Sequence, residues 1–181
     1  RTAIINFMRG FDSGHQLKET VMSIVENYPQ EVLQCNMNLL GTHDTMRILT
    51  ALTSGFDGSR QENAAHSLSP YQYAEGVELL KIASLLQYTL PGSPSLYYGD
   101  EAGMEGYKDP FNRRTYPWGR EDMEFMDHFK RLGKLRKDHE ALRLGDIRFF
   151  QAGDKHIGFT RSYNGKTLRI LGKAIAFQGK L

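Results

Sequence analysis

Ionisable side chains follow two short apolar stretches of this chain, and their types suit contacts with sugars. His43, Asp44 and Arg47 come after the apolar run 32–41, and a larger group follows the segment 95–98. Carboxylates and guanidinium groups can hydrogen-bond hydroxyls, and aromatic rings offer flat apolar faces to a sugar ring. The residues of the second group are Tyr97, Tyr98, Asp100, Glu101, Asp109, Asn112, Arg113 and Trp118.

Other ligand classes lack their usual sequence features. Phosphate binding calls for a glycine-rich loop with a basic residue at a helix start, and we find none. Zinc binding calls for closely spaced ligands, but His43 and His66 lie far apart in sequence, so no metal site is predicted. The net charge is only +2, and no apolar run approaches the roughly 20 residues of a membrane span. We therefore expect neither nucleic acid nor a membrane as a partner.

Each of these residues also has a structural interpretation. His43 and Asp44 could form a hydrogen-bonded turn after Gly41. Asp109 and Arg113 could form a surface ion pair of little energetic value. The aromatic residues could pack within a loop, and Asp100 and Glu101 could hold that loop in place.

The first part of the chain alternates between predicted helices and strands. Apolar residues at helical spacing predict a helix over 14–27, which Asp12 or Ser13 could cap. The motif Ser69-Pro70-Tyr71-Gln72 predicts the start of a longer helix. The predicted elements in order are a helix at 14–27, a strand at 32–41 with Cys35 in the core, a loop at 53–63, a helix at 69–90, a strand at 95–98 and a helix at 121–142.

The pattern changes after Gly145. Short strand-like segments follow, and the Asn164-Gly165 pair is a strong hairpin signal. Alternating elements followed by strands alone predict a boundary near 144–146. The two earlier strands are only a fragment of a parallel sheet, and the chain starts at Arg1-Thr2 without a methionine. We therefore expect a piece of a longer protein.

Three motifs resemble the α-amylase family of glycoside hydrolases. Leu39–Arg47 (LLGTHDTMR) resembles the end of the family's seventh barrel strand, and Pro91–Glu101 (PGSPSLYYGDE) resembles its eighth strand and exit. Asp109–Arg113 (DPFNR), followed by Pro117-Trp118, resembles the next loop. Within the family the pattern is similar to neopullulanases, cyclomaltodextrinases and maltogenic amylases.

The resemblance implies a role for four residues. Asp44 matches the family's third catalytic carboxylate, and His43 matches the histidine that stabilises the transition state. Asp109 and Arg113 match the pair that binds a glucose unit on the non-reducing side of the cleaved bond. The family's nucleophile Asp and acid/base Glu follow its fourth and fifth strands, and no segment here matches either motif. The resemblance implies no cofactor for this part of the chain, with calcium possible in the parent protein.

The resemblance also implies a fold and an activity. The expected fold is α/β, the last part of a (β/α)8 TIM barrel over 1–144 followed by the start of a C-terminal β-domain over 145–181. The expected parent is a retaining hydrolase of starch-like α-glucans, maltodextrins or cyclodextrins, and the fragment alone is expected to be inactive. The alternative is a non-catalytic carbohydrate-binding or structural relative, which an upstream sequence lacking the Asp and the Glu would reveal. We also expect the fragment to self-associate, and the resemblance slightly favours a cytoplasmic location.

Overall fold

The computed structural model describes residues 1–54 and 58–174 of the chain. A mainly helical part comes first, and an antiparallel sheet ends the described chain. The helices are α1 (Thr2–Arg9), α2 (Gly14–Asn27), α3 (Gln30–Cys35), α4 (Ile48–Thr53), α5 (Arg60–Ala65), α6 (Pro70–Thr89), α7 (Met123–Asp138) and α8 (Glu140–Leu144). The strands are β1 (Met37–Leu39), β2 (Ser93–Ser95), β3 (Asp146–Ala152), β4 (His156–Tyr163) and β5 (Lys166–Lys173).

β1 and β2 form a parallel pair that determines where the following loops begin. Leu39 lies opposite Ser95 in the register of the pair. Because parallel strands end at the same edge of a sheet, the loop after β1 and the loop after β2 leave from the same side. β2 is shorter and begins earlier than the predicted strand at 95–98.

The two helices whose starts are most clearly marked in the sequence, α2 and α6, begin at capping boxes. The hydroxyl of Ser13 accepts a hydrogen bond from the Gln16 amide at the start of α2. Ser69 and Gln72 make the same arrangement at the start of α6, which has a proline at its first position. Both predictions are confirmed. The helix predicted over 121–142 is instead interrupted at His139, whose backbone is extended, so α7 and α8 are separate.

The strand predicted over 32–41 is wrong for most of its length. Residues 30–35 form α3, and only Met37–Leu39 form a strand. Leu33 is buried and anchors α3, whereas Val32 is exposed. Cys35 is also exposed, so the prediction that it is a core residue is wrong. An apolar run without a clear period does not distinguish a short helix from a buried strand, which explains the error.

The core lies between the helices and the antiparallel sheet. Leu80 and Leu86 of α6 are fully buried, and so are Ile157 and Phe159 of β4. These residues belong to one apolar cluster, so the sheet and the helices share a core. The sheet has the order β3-β4-β5, and the predicted turn at Asn164-Gly165 joins its last two strands. The boundary between 144 and 145 stays a prediction.

Some predictions concern residues that the structure does not describe. Residues 55–57 of the predicted loop 53–63 and residues 175–181 of the predicted β-domain lie outside the described ranges. Within the described part of that loop, α5 begins at Arg60. Among the described residues, we find no helix with the length and apolar character needed to cross a membrane.

Candidate active site

His43 and Asp44 lie in an open turn directly after β1. The His43 Nε2 atom is 3.2 Å from the Asp44 Oδ2 atom, and the two side chains are 67% and 72% exposed. The Asp44 amide donates to the hydroxyl of Thr42 at 3.3 Å. The turn therefore presents an imidazole and a carboxylate side by side to solvent, where a ligand can reach both.

Arg113 connects this turn to the loop after β2. Its Nη2 atom lies 2.9 Å from Asp109 Oδ1 and 4.0 Å from Asp44 Oδ1. Its Nε donates to the main-chain carbonyl of His43 at 3.1 Å. The structure thus brings all four predicted site residues into one cluster, although they come from two separate loops.

An open cleft of about 610 Å³ adjoins the cluster. Asp44 and Asp109 line it together with Asn6 and Arg9 of the α1 helix. The cleft combines carboxylates with amide and guanidinium donors, which is the mixture that hydrogen-bonds the hydroxyls of a sugar.

Arg47 and Asp100 form a buried pair beneath the cluster. The Arg47 Nη1 atom lies 3.2 Å from Asp100 Oδ1, and the rings of Tyr97 and Tyr98 flank the guanidinium at 4.3 and 4.5 Å. Burial raises the pKa of Asp100 to about 7, and Arg47 opposes this shift. A Cβ atom at Gly41 would lie 2.2 Å from Asp100 Oδ2, so only glycine leaves room for this carboxylate.

The Arg47–Asp100 pair supports the interpretation that Asp100 holds its loop in place. Asp100 holds the loop after β2 against the turn after β1, as predicted, and does not face the cleft. For Glu101 the same role stays a prediction. Tyr97 and Tyr98 pack around Arg47, which agrees with a packing role for these two rings.

The sequence groups Arg47 and Asn112 with side chains suited to sugar contacts, but the structure buries both of them instead. Asn112 is fully buried, and its side-chain amide donates to the carbonyls of His43 and Thr45. The partners of both residues lie far away in sequence. A buried role was not readable from local pattern, and the position of Asn112 inside the motif 109–113 was the only available signal.

No metal centre is visible among residues 1–54 and 58–174. Within these ranges no group of three or more His, Cys, Asp or Glu side chains is placed to hold an ion. Asp44 and Asp109 instead face the guanidinium of Arg113. Calcium in the parent protein stays a prediction.

Comparison with known families decides the classification. The model of the α-amylase catalytic domain matches residues 7–140, which include both strands of the parallel pair and all four clustered residues. The chain belongs to the α-amylase family. The predicted resemblance is therefore confirmed, and so is the predicted fold, the last part of a TIM barrel followed by an antiparallel β-segment.

Individual relatives agree with this assignment. The chain is 42% identical over 179 residues to an amylopullulanase of Thermoanaerobacter thermohydrosulfuricus, covering 92% of this chain and 12% of the relative. It is 34% identical over 163 residues to a cyclomaltodextrinase of Geobacillus thermopakistaniensis, covering 88% of this chain and 24% of the relative. The chain thus spans a quarter or less of these relatives.

A solved structure shows the same arrangement of elements. An Anoxybacillus α-amylase superimposes with a TM-score of 0.74 at 27% identity, covering 96% of this chain and 34% of that one. The superposition extends across both the parallel pair and the antiparallel sheet, since nearly the whole chain is covered. The α-amylase fold therefore accounts for both parts of the molecule.

Proposed function

We propose that this chain is part of a retaining glycoside hydrolase that cleaves α-glucosidic bonds of starch-like glucans, maltodextrins or cyclodextrins. The observation that carries the proposal is the cluster of His43, Asp44, Asp109 and Arg113 at one edge of the parallel pair in a member of the α-amylase family. The ends of parallel strands are where barrel enzymes place their reactive groups. Relatives named amylopullulanase and cyclomaltodextrinase support an α-glucan as substrate.

In this proposal each clustered residue has one task. Asp44 accepts hydrogen bonds from sugar hydroxyls at the bond to be cleaved. His43 donates to the same sugar as positive charge develops in the oxocarbenium-like transition state. Arg113 and Asp109 bind the next glucose unit on the non-reducing side, because a guanidinium and a carboxylate together can donate to and accept from one hydroxyl.

The chain alone is proposed to be inactive. Retaining hydrolysis needs a nucleophile and an acid/base about 5 Å apart. The family takes these two carboxylates from its fourth and fifth strands, and the 181 residues contain neither motif. His43 and Asp44 can bind and stabilise, but they cannot form the covalent intermediate. Turnover is expected only in the complete protein.

The decisive experiment is the Asp44→Asn substitution in the complete protein. We expect the loss of most turnover on maltodextrin and β-cyclodextrin while the circular dichroism spectrum and the melting temperature stay close to those of the wild type. The Asp127→Asn substitution, which changes an exposed carboxylate on α7, is the matched control and should keep full activity. Near-normal turnover in the Asp44→Asn protein would refute the assignment.

We also propose that the isolated chain self-associates. β1 pairs with β2 along one edge, and no strand in the described part of the chain covers its other edge. The exposed side chains of Ile24 and Met37 lie beside this edge and line a mixed, mainly apolar cavity of about 250 Å³. Unpaired strand edges and exposed apolar surface both recruit other chains.

Light scattering on purified residues 1–181 tests this proposal. We expect a mass above that of the 20.6 kDa monomer. The Met37→Lys substitution should shift the distribution toward the monomer, because a charge on a strand edge opposes pairing. A monomeric wild-type chain with a cooperative melt would contradict the proposal.

A further inference from the structure

Asn112 makes the same contact on both sides of Asp44. Its side-chain nitrogen Nδ2 donates to the carbonyl oxygen of His43 at 2.7 Å and to that of Thr45 at 2.8 Å. These two carbonyls belong to the residues immediately before and after Asp44. Asn112 is fully buried, so water does not compete for these hydrogen bonds.

The chemistry of this contact determines the residue type. Two carbonyl oxygens that face one atom need two N–H groups from that atom, and a primary amide supplies them. An aspartate of the same shape would bring a carboxylate oxygen against two carbonyl oxygens. A serine has only one O–H to donate and a shorter reach.

Asn112 is itself held firmly from the other side. Its main-chain carbonyl accepts a hydrogen bond from the Nε of Arg47 at 2.8 Å. The Arg47 amide in turn donates to the carbonyl of Gly106 at 2.9 Å. A Cβ atom at Gly106 would lie only 2.4 Å from the carbonyl oxygen of Phe111, so the two main-chain segments touch. The position of Asn112 is therefore fixed by buried contacts.

The side chain of Asp44 is paired with exposed groups, His43 at 3.2 Å and Arg113 at 4.0 Å. It is 72% exposed, and its main-chain hydrogen bond to Thr42 is long at 3.3 Å. Another bond across the turn, from the Thr45 amide to the Thr42 carbonyl, is 3.4 Å. Arg113 Nε also donates to the His43 carbonyl at 3.1 Å, but the two bonds from Asn112 are shorter and hold the turn on both sides of Asp44, so they set where its backbone lies.

We propose that Asn112 is a positioning residue that fixes the His43–Asp44 turn, and thereby the Asp44 carboxylate, relative to the bound sugar. Asn112 does not touch the substrate and acts through the turn. The inference rests on the proposed glycoside hydrolase function. A displacement of about 1 Å in a reacting group can reduce a rate about 100-fold, so the loss of this contact should be visible in turnover.

A double-mutant cycle in the complete protein tests the proposal. We expect Asn112→Asp to lower kcat/KM on maltodextrin about 100-fold. When Asp44→Asn is already present, the same substitution should lower the residual kcat/KM by less than about threefold. The effects of substitutions at residues that act as a unit are not additive. A full additional loss in that background would overturn the proposal. If Asn112→Asp does not fold, Asn112→Ser replaces it with the same two expectations.

Asn38 offers a matched control. Its Nδ2 atom also contacts main-chain carbonyl oxygens, those of Gln87 at 3.2 Å, Leu90 at 3.5 Å and Pro91 at 3.0 Å, but these belong to the end of α6 and the residues just after it. Asn38→Asp should lower the melting temperature while kcat/KM, measured well below that temperature, stays within about threefold of the wild type. Equal losses of kcat/KM in the two variants would mean that Asn112 is only structural.

Amide hydrogen exchange provides a readout that does not require activity. The peptide covering residues 40–48 should exchange faster in Asn112→Asp and at the wild-type rate in Asn38→Asp. If Asn112→Asp speeds exchange but the wild-type protein hydrolyses no glucan, Asn112 holds the turn and the hydrolase function is rejected. If the wild-type protein is active and Asn112→Asp leaves the exchange unchanged, only the positioning role of Asn112 is rejected.

Discussion

The guanidinium of Arg47 lies 3.2 Å from the carboxylate of Asp100, and their side chains are 0% and 2% exposed. Arg47 follows the turn after β1, and Asp100 follows β2. The pair therefore joins the two loops that carry the candidate site. Arg47 also donates to the main-chain carbonyls of Tyr98 and Asn112, so one guanidinium holds several segments.

The Arg47→Met substitution should destabilise the protein by about 3–5 kcal/mol, because it leaves a buried carboxylate without its partner. Arg47→Lys should recover little of this loss, since an ammonium group cannot bond a carboxylate and two carbonyls in the same fork geometry. Adding Asp100→Asn to Arg47→Met should restore part of the stability. Thermal unfolding measures these differences, and a double variant no more stable than Arg47→Met would contradict the charge argument.

The Asp100→Asn substitution should change how stability depends on pH. Burial raises the pKa of Asp100 from 3.8 to about 7 in the folded protein. The folded state then holds this proton more tightly than the unfolded state, so the stabilising contribution is complete below the unfolded pKa and is lost as the pH rises through about 7. Between about pH 5 and about pH 8 the wild type should lose melting temperature relative to Asp100→Asn. Parallel melting temperatures across this range would contradict the prediction.

Local sequence signals predicted the well-capped elements and failed for α3. The start of α6 is specified by Ser69, Pro70 and Gln72, which are neighbours in sequence. The turn at Asn164-Gly165 is also local, and both residues have positive φ as the turn requires. Residues 30–35 carry no such signal, and Leu33 is the residue of their helix that is buried.

The candidate site also contains residues that the sequence predicts and contacts that it does not. His43, Asp44, Asp109 and Arg113 could be predicted because they lie in motifs that resemble a known family. The buried contact of Asn112 could not be predicted, although Asn112 lies in one of these motifs, because its partner is 69 residues away in the chain. Arg47 depends on partners 53 and 65 residues away. A contact between separate loops is a property of the folded chain, and one sequence contains no local record of it.

Arg161 should contribute to the attachment of the antiparallel sheet. It is buried on β4, and burial lowers the pKa of its guanidinium to about 10. Its guanidinium donates to the carbonyl of Thr89, the last residue of α6, at 2.5 Å. It also donates at 2.9 Å to the carbonyl of Gly145, the residue after α8. Arg161→Met should cost about 1–3 kcal/mol, because two buried acceptors lose their donor.

Thermal unfolding and kinetics together check the role of Arg161. The control is Arg148→Met, since Arg148 is exposed on the neighbouring strand β3. Arg148→Met should change the melting temperature little, and neither variant should change KM for maltodextrin below its unfolding range. Equal melting temperatures for the two variants would show that Arg161 does not hold the sheet to the helices.

Arg113→Lys should reduce activity without reducing stability. Arg113 contacts Asp109, the carbonyl of His43 and, at 4.0 Å, Asp44, and a lysine cannot reproduce this fork. We expect a loss of about 10-fold to 100-fold in kcat/KM on maltodextrin, below the roughly 100-fold to 1,000-fold cost of removing a donor outright, because lysine keeps the positive charge. The melting temperature should change little, because a partly exposed ion pair contributes only about 0–1 kcal/mol. Arg114→Lys is the matched control, since the guanidinium of the neighbouring Arg114 makes a long contact of 3.5 Å to the carbonyl of Ala64 and does not join the cluster of His43, Asp44 and Asp109. If the two substitutions had the same small effect on kcat/KM, Asp109 and Arg113 would be a surface ion pair rather than a sugar-binding pair.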